Sequence, residues 1–166
     1  MNLDKEKLKN FEKLPADVRR EFSLLMNQYG QKKKESHIKS DFMSFVKHVW
    51  PDFIEGSHHK EVAKKFNEIA EGKTKRVIIN MAPRHTKSEF ASYLLPAWMV
   101  GRNPKLKIIQ STNTTELSVR FGRKAKALMD SPEYKEVFKT RLKEDSQAAG
   151  KWETQQGGEY YAAGVG

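Results

Sequence analysis

The chain has 166 residues, enough for one domain of ordinary size, and a hydrophobic fraction of 37%, which allows a core but not a generous one. The absence of cysteine excludes disulfides, thiolate catalysis and Cys-ligated zinc or iron–sulfur sites, and fits a reducing compartment. A formal net charge of +10 favours polyanionic partners: DNA, RNA or an acidic membrane surface. Residues 1–7 lack the apolar core of a signal peptide, and the most apolar window, residues 91–100, is too short to span a bilayer and contains Pro96. A soluble, intracellular protein is therefore predicted.

Residues 1–30 read as helical, with Phe11 and Leu14 and then Val18, Phe22, Leu25 and Tyr29 at helical spacing. Pro15 suits the first turn of the second helix. The run Gln31-Lys32-Lys33-Lys34-Glu35-Ser36 reads as a charged break. Ser40 is positioned to cap the next helix, in which Phe42, Phe45, Val46 and Val49 form one stripe, and Trp50-Pro51 ends it. A further helix from His58 to Ala70 carries Val62, Phe66 and Ile69 on one face and closes at Glu71-Gly72. Residues 1–72 are thus predicted to be a helical N-terminal region.

The character changes at residue 73. Residues 75–81 read as a buried strand, 88–100 as a helix with Gly101 past its end, and 105–111 as a second strand. Thr114 or Thr115 can cap a helix bearing Leu117, Phe121, Ala125 and Leu128, which Ser131-Pro132 ends. Residues 151–154 and 159–163 flank Gln155-Gln156-Gly157-Gly158 like a hairpin. The order β-loop-α-β-α predicts an α/β fold, a parallel sheet covered by helices, over residues 73–166.

One stretch carries chemistry. The apolar run Val77-Ile78-Ile79 leads through Asn80, Met81, Ala82, Pro83, Arg84, His85 and Thr86 to Lys87-Ser88, where a helix begins. Strand, loop and helix in that order describe a phosphate-binding loop. The usual pattern is G-x-x-x-x-G-K-[ST]; Met81 and Thr86 stand at its two glycine positions, and Lys87 and Ser88 match outright. A helix N-terminus presents unpaired N–H groups and a positive dipole end to phosphate oxygens. A lysine adds a mobile charge, and a hydroxyl one residue later can ligate Mg²⁺. Arg84 supplies a second cation, placed as an arginine finger would be. Glycine normally provides the positive φ and close backbone approach of such a loop, so Thr86 is expected to need a path that avoids strain. On the pattern alone, a basic strand-to-helix turn that happens to contain Lys-Ser is an equal reading.

The segment Ala82-Pro83-Arg84-His85-Thr86-Lys87-Ser88-Glu89-Phe90 resembles the deviant Walker A loop of tailed-phage terminase large subunits, which commonly reads Pro-Pro-Arg-His-Gly/Thr-Lys-Ser. Ala82 departs at the first proline. Gly56-Ser57-His58-His59, Leu95-Pro96-Ala97-Trp98, Gly101-Arg102-Asn103-Pro104, Lys107-Ile108-Ile109-Gln110, Gly150 to Thr154, Gly157 to Tyr160 and Gly164-Val165-Gly166 extend the resemblance over roughly residues 40–166. It implies a RecA-like P-loop NTPase sheet in a motor that packages viral DNA. ATP and Mg²⁺ are the implied cofactors. The implied partners are double-stranded DNA, a portal protein, a small terminase subunit and further copies in a ring, with no membrane, in the host-cell cytoplasm. By the same resemblance, Arg84 and Lys87 are the catalytic candidates, Ser88 binds Mg²⁺, and Ala82, Pro83, His85 and Thr86 complete the nucleotide loop, His85 and Thr86 mainly through their backbone. The family continues past the Gly-Val-Gly region with a strand ending in paired acidic residues and with a metal-dependent nuclease. Neither occurs in these 166 residues, so this chain alone is expected to bind ATP weakly and hydrolyse it poorly.

Other residues have plainer readings. Arg120, Arg123, Lys124 and Lys126 on the 115–130 helix could face DNA phosphates, although a solvated basic face is the default. His58-His59 lacks the spacing of a metal site and reads as a helix start near the nucleotide. Trp50, Trp98 and Trp152 read as core or interface aromatics, and Ser111, Thr112 and Asn113 either line a cleft at a strand end or cap a helix. A helicase-like P-loop motor and a non-catalytic basic DNA-binding or assembly fragment are the alternatives to the packaging motor.

Overall fold

The computed structural model describes residues 14–165; Phe11 of the predicted first helix lies outside them. The chain divides into two compact units, Met1–Ser36 and His37–Gly166. Helix α1 (Ala16–Ser40) supplies the described part of the first unit and, from His37 on, enters the second. It runs unbroken through residues 31–36, where a charged break was predicted. Lysine and glutamate are good helix formers, and charge without Gly or Pro does not end a helix. Val18, Leu25 and Tyr29 of the predicted apolar stripe are exposed.

In the second unit, α2 (Phe42–Val49) is capped by Asp41 rather than by Ser40. The Asp41 carboxylate accepts the Ser44 N–H at 2.7 Å, whereas the Ser40 hydroxyl donates back to the His37 carbonyl at 3.1 Å. Helix α3 (Ser57–Ala70) lies across from it. Asn67 of α3 accepts the Phe42 N–H and donates to Asp41, both at 2.8 Å, so the start of α2 is tied to α3. Phe42, Phe45, Val46 and Phe66 are buried as their spacing predicts.

The helix predicted over 88–100 is longer and not uniform. It comprises α4 (Lys87–Glu89), a π-helical turn (Phe90–Leu94) and α5 (Leu95–Arg102). Pro96 explains the wide turn. It has no N–H to offer the carbonyl four residues earlier, and its ring crowds that carbonyl. Widening the preceding turn, so that the Leu95 N–H bonds to the Phe90 carbonyl, relieves both faults. Gly101 lies inside α5, not past its end; Asn103 is the cap.

The remaining elements are β1 (Lys107–Thr112), α6 (Thr115–Asp130), α7 (Pro132–Val137), β2 (Leu142–Ala148), β3 (Lys151–Thr154) and β4 (Glu159–Gly164). Thr114 caps α6. The strands form one sheet in the order β1-β4-β3-β2. β1 runs parallel to β4, while β4, β3 and β2 are successively antiparallel. The sheet is therefore mixed, not parallel as predicted. The β3–β4 hairpin matches its turn signal, but β2, with the polar sequence Leu-Lys-Glu-Asp-Ser-Gln-Ala, has no strand pattern to read. Residues 75–81 are a second correction: they belong to no strand. Val77 and Ile79 are half-buried, but Ile78 is 89% exposed. β-branched residues favour extended backbone locally, whereas a ladder needs a neighbour that local sequence cannot supply.

Helix α6 packs on β4 and β1, covering the face that carries Trp152 and Tyr160, whose rings stack at 4.7 Å. Among the described residues, no helix is long and apolar enough to cross a membrane.

Gly101 faces the Phe138 ring, and a Cβ there would lie 2.6 Å from its Cγ. Gly101→Ala is expected to destabilise the fold by about 1–3 kcal/mol through overpacking, read as a lower urea midpoint with an unchanged slope.

Candidate phosphate-binding loop

Residues 82–86 join the irregular 76–81 run to the helix that opens at Lys87. Two of its non-glycine residues lie in the left-handed region, Arg84 at φ 65 and Thr86 at φ 57. Thr86 thus takes the conformation that glycine supplies at the same place in the usual pattern. The strain that the sequence suggested the loop must avoid is adopted instead. For a β-branched residue it costs on the order of 1–3 kcal/mol and has to be held by surrounding contacts.

Those contacts can be traced. The Thr86 hydroxyl donates to the His85 carbonyl at 2.7 Å and meets His59 Nε2 at 2.7 Å. The other ring nitrogen of His59, Nδ1, accepts the Gly56 N–H at 2.8 Å. The ring of His85 is held by its own Nδ1, which donates to the Pro83 carbonyl at 2.9 Å. Lys87 folds back so that Nζ reaches the Met81 carbonyl at 3.3 Å.

Ala82, Pro83, Arg84, His85, Lys87 and Ser88 are exposed, and Thr86 is half-buried. The first N–H of this helix to find a backbone acceptor four residues back is that of Phe90, on the Thr86 carbonyl at 2.9 Å. The amides of residues 87–89 precede it, and such first-turn donors are the ones a helix offers to an anion. The structure therefore gathers two cationic side chains, a hydroxyl and a helix start on one loop. Ser88 offers Mg²⁺ one protein oxygen, which suits an ion that keeps several waters and takes its other ligands from phosphate. Among the described residues, no group of three or more His, Cys, Asp or Glu is placed to hold a metal.

The other sequence candidates fall as follows. Lys124 does not point to solvent as a free phosphate contact: Nζ binds both carboxylate oxygens of Glu89 at 2.9 Å and sits 5.2 Å from the Tyr93 ring centroid. It joins α6 to the helix behind the loop. Arg120 and Arg123 are exposed and Lys126 is half-buried. The Thr112 hydroxyl is taken up at the start of α6, donating to the Thr114 carbonyl at 2.7 Å beside Ser118 at 2.6 Å; Ser111 and Asn113 are exposed. Trp98 and Trp152 are fully buried. Trp50 packs at the core's edge.

Sequence reasoning put His58 and His59 near the nucleotide but did not find the bond from His59 to Thr86. The two are separated by 27 positions, and two adjacent histidines at a helix start were the sole local hint. The His58 ring lies tilted against His59 with centroids 3.8 Å apart and meets the His85 ring at 5.5 Å, with its Nε2 buried and unpartnered. Comparison with protein families, curated proteins and solved structures finds no match to the chain.

Burial holds the His59 pKa below the ordinary imidazole value, the neighbouring His58 adds to this, Glu55 opposes it and His85 lowers it further. The neutral ring is thus favoured by folding. Its contribution to stability is complete above about pH 6.5, the ordinary value, and is lost as pH falls through the lower folded-state value. Urea unfolding between pH 8 and 5 is expected to show a decline that is shallower in His59→Phe.

Proposed function

We propose that this chain is the ATP-binding part of a DNA-packaging motor of the terminase large-subunit type, an α/β P-loop ATPase that couples ATP hydrolysis to translocation of double-stranded DNA into a procapsid. The observation that carries the reading is Thr86 at φ 57, directly before Lys87-Ser88 at a helix start. A threonine held in the left-handed region where the P-loop pattern places glycine supports this reading, because strained backbone of this kind concentrates at binding and catalytic sites.

In this reading the loop and first-turn amides receive the phosphates, and Lys87 leaves the Met81 carbonyl for the β- and γ-phosphate oxygens. Ser88 would hold Mg²⁺, which would supply charge neutralisation at the phosphates. Arg84 sits three positions before Lys87, able to meet charge that develops on the transferred phosphoryl group. The net charge of +10 supports a polyanionic track for the motor, with Arg120 and Arg123 as exposed contacts. Portal protein, small subunit and ring assembly belong to the same proposal.

Titration with a fluorescent ATP analogue in Mg²⁺ tests the reading. Lys87→Ala is expected to weaken binding by about tenfold or more, the loss of one charge-assisted contact of ~1.5–3 kcal/mol. Ser88→Ala should flatten the dependence on Mg²⁺. Binding that is unchanged by both substitutions would refute it. Duplex DNA affinity should fall linearly on a log–log plot against salt, as counterion release requires.

A further inference from the structure

We propose that His59 is a positioning residue for the phosphate loop: as the neutral Nε2–H tautomer it holds Thr86 in the left-handed conformation that presents Lys87 and Ser88 to phosphate. This rests on the nucleotide-binding reading above and adds a residue from a different element to that site.

The hydrogen bonds assign the tautomer. A backbone amide can only donate, so the Gly56 N–H, 2.8 Å from Nδ1, requires that Nδ1 carry no proton. The ring's proton is then on Nε2 and points to Thr86 Oγ1 at 2.7 Å. The Thr86 hydroxyl proton is already directed at the His85 carbonyl, 2.7 Å away, which leaves its oxygen free to accept. The relay from the Gly56 N–H through the His59 ring and the Thr86 hydroxyl to the His85 carbonyl thus runs in one direction. A doubly protonated ring would set two N–H groups against each other at Gly56.

The ring cannot turn out of this arrangement. His59 is only 7% exposed, with Phe53 at 4.8 Å, Phe90 at 5.2 Å and His58 at 3.8 Å between centroids. Gly56 completes the clamp. A Cβ at that position would lie 2.8 Å from His58 Cε1, so a larger residue there would require the His58 ring to shift from its place over His59. Helix α3 (Ser57–Ala70) thereby braces a loop that lies beyond its own end, and it does so at the loop residue whose backbone most needs bracing.

Glycine at position 86 would need no brace, since it adopts positive φ without steric cost. That gives a test. Binding of mant-ATP with Mg²⁺ at pH 8 is measured for the intact chain, for His59→Phe, which keeps a ring but no hydrogen bond, for Thr86→Gly, and for the double variant. His59→Phe is expected to weaken binding by about tenfold beside Thr86 and by less than about twofold beside Gly, a coupling within the range of contacting pairs. Thr86→Ser, which keeps the hydroxyl, should retain the full dependence on His59. Equal losses in the threonine and glycine backgrounds would overturn the proposal. Imidazole ¹⁵N shifts of the nucleotide-free protein give a second reading that does not depend on ligand. The Nε2–H tautomer at His59 is expected, and an Nδ1–H tautomer would overturn the brace. If the intact chain binds no mant-ATP, the nucleotide reading fails, and with it the role given to His59, whereas binding with uncoupled losses removes His59 alone.

Discussion

The ring of Phe42 is the contact through which the helical parts of the second unit meet. It is fully buried and takes edge-on contacts from Phe66 of α3 at 5.1 Å, Phe90 of the π turn at 5.4 Å and Trp98 of α5 at 5.4 Å. Each such pair adds roughly 0.5–1.5 kcal/mol beyond simple burial, and here each comes from a different element. The backbone of the same residue is held too, because the Phe42 N–H bonds to Asn67. Phe90 then passes the constraint onward: its ring also packs on Phe53 and His59. The helix that ends the phosphate loop is therefore fixed from behind by the core, and the loop's strained residue is fixed from the side by an imidazole that the same core encloses.

Charge contributes differently. Ion pairs such as Lys47–Glu55, Lys65–Glu68, Lys107–Glu159 and Lys143–Glu153 are partly exposed, and pairs of this kind add about 0–1 kcal/mol each. They do not hold the fold. The pair between Lys124 and Glu89 has a clearer structural consequence, since it joins α6 to the helix behind the loop. It also shows why a net charge of +10 does not by itself mark a binding face. A lysine on the predicted polar side of α6 is committed to a carboxylate from elsewhere in the chain.

Features set by local sequence were readable in advance: the α2 stripe, the α3 stop at Gly72, the Thr114 cap, the β3–β4 hairpin and the Lys-Ser helix start. Features set by distant neighbours were not. Residues 75–81 have the composition of a strand, yet composition does not supply a ladder partner. β2 has neither alternation nor β-branched residues and is a strand because β3 lies beside it. Gly101 reads as a helix terminator until the Phe138 ring is seen in the space its side chain would fill. At the site, the residue types of the loop could be identified in order, while the conformation of Thr86 and the imidazole that meets it could not, for the bond spans two elements. The π turn is a middle case: Pro96 was visible, and its effect on the helix before it follows from proline's missing donor.

That π turn sets a direction as well as relieving a clash. An α-helix advances about 100° around its axis per residue, and the extra residue within Phe90–Leu94 is taken up in one wide turn, so the helix on its N-terminal side keeps its bearing relative to α5, which Trp98 anchors in the core. Lys87 and Ser88 lie on that N-terminal side. Their bearing toward the loop's mouth thus depends on that turn staying wide: drawing the same residues into regular helix would swing the lysine and the serine roughly a quarter of a circle away from where the loop delivers them.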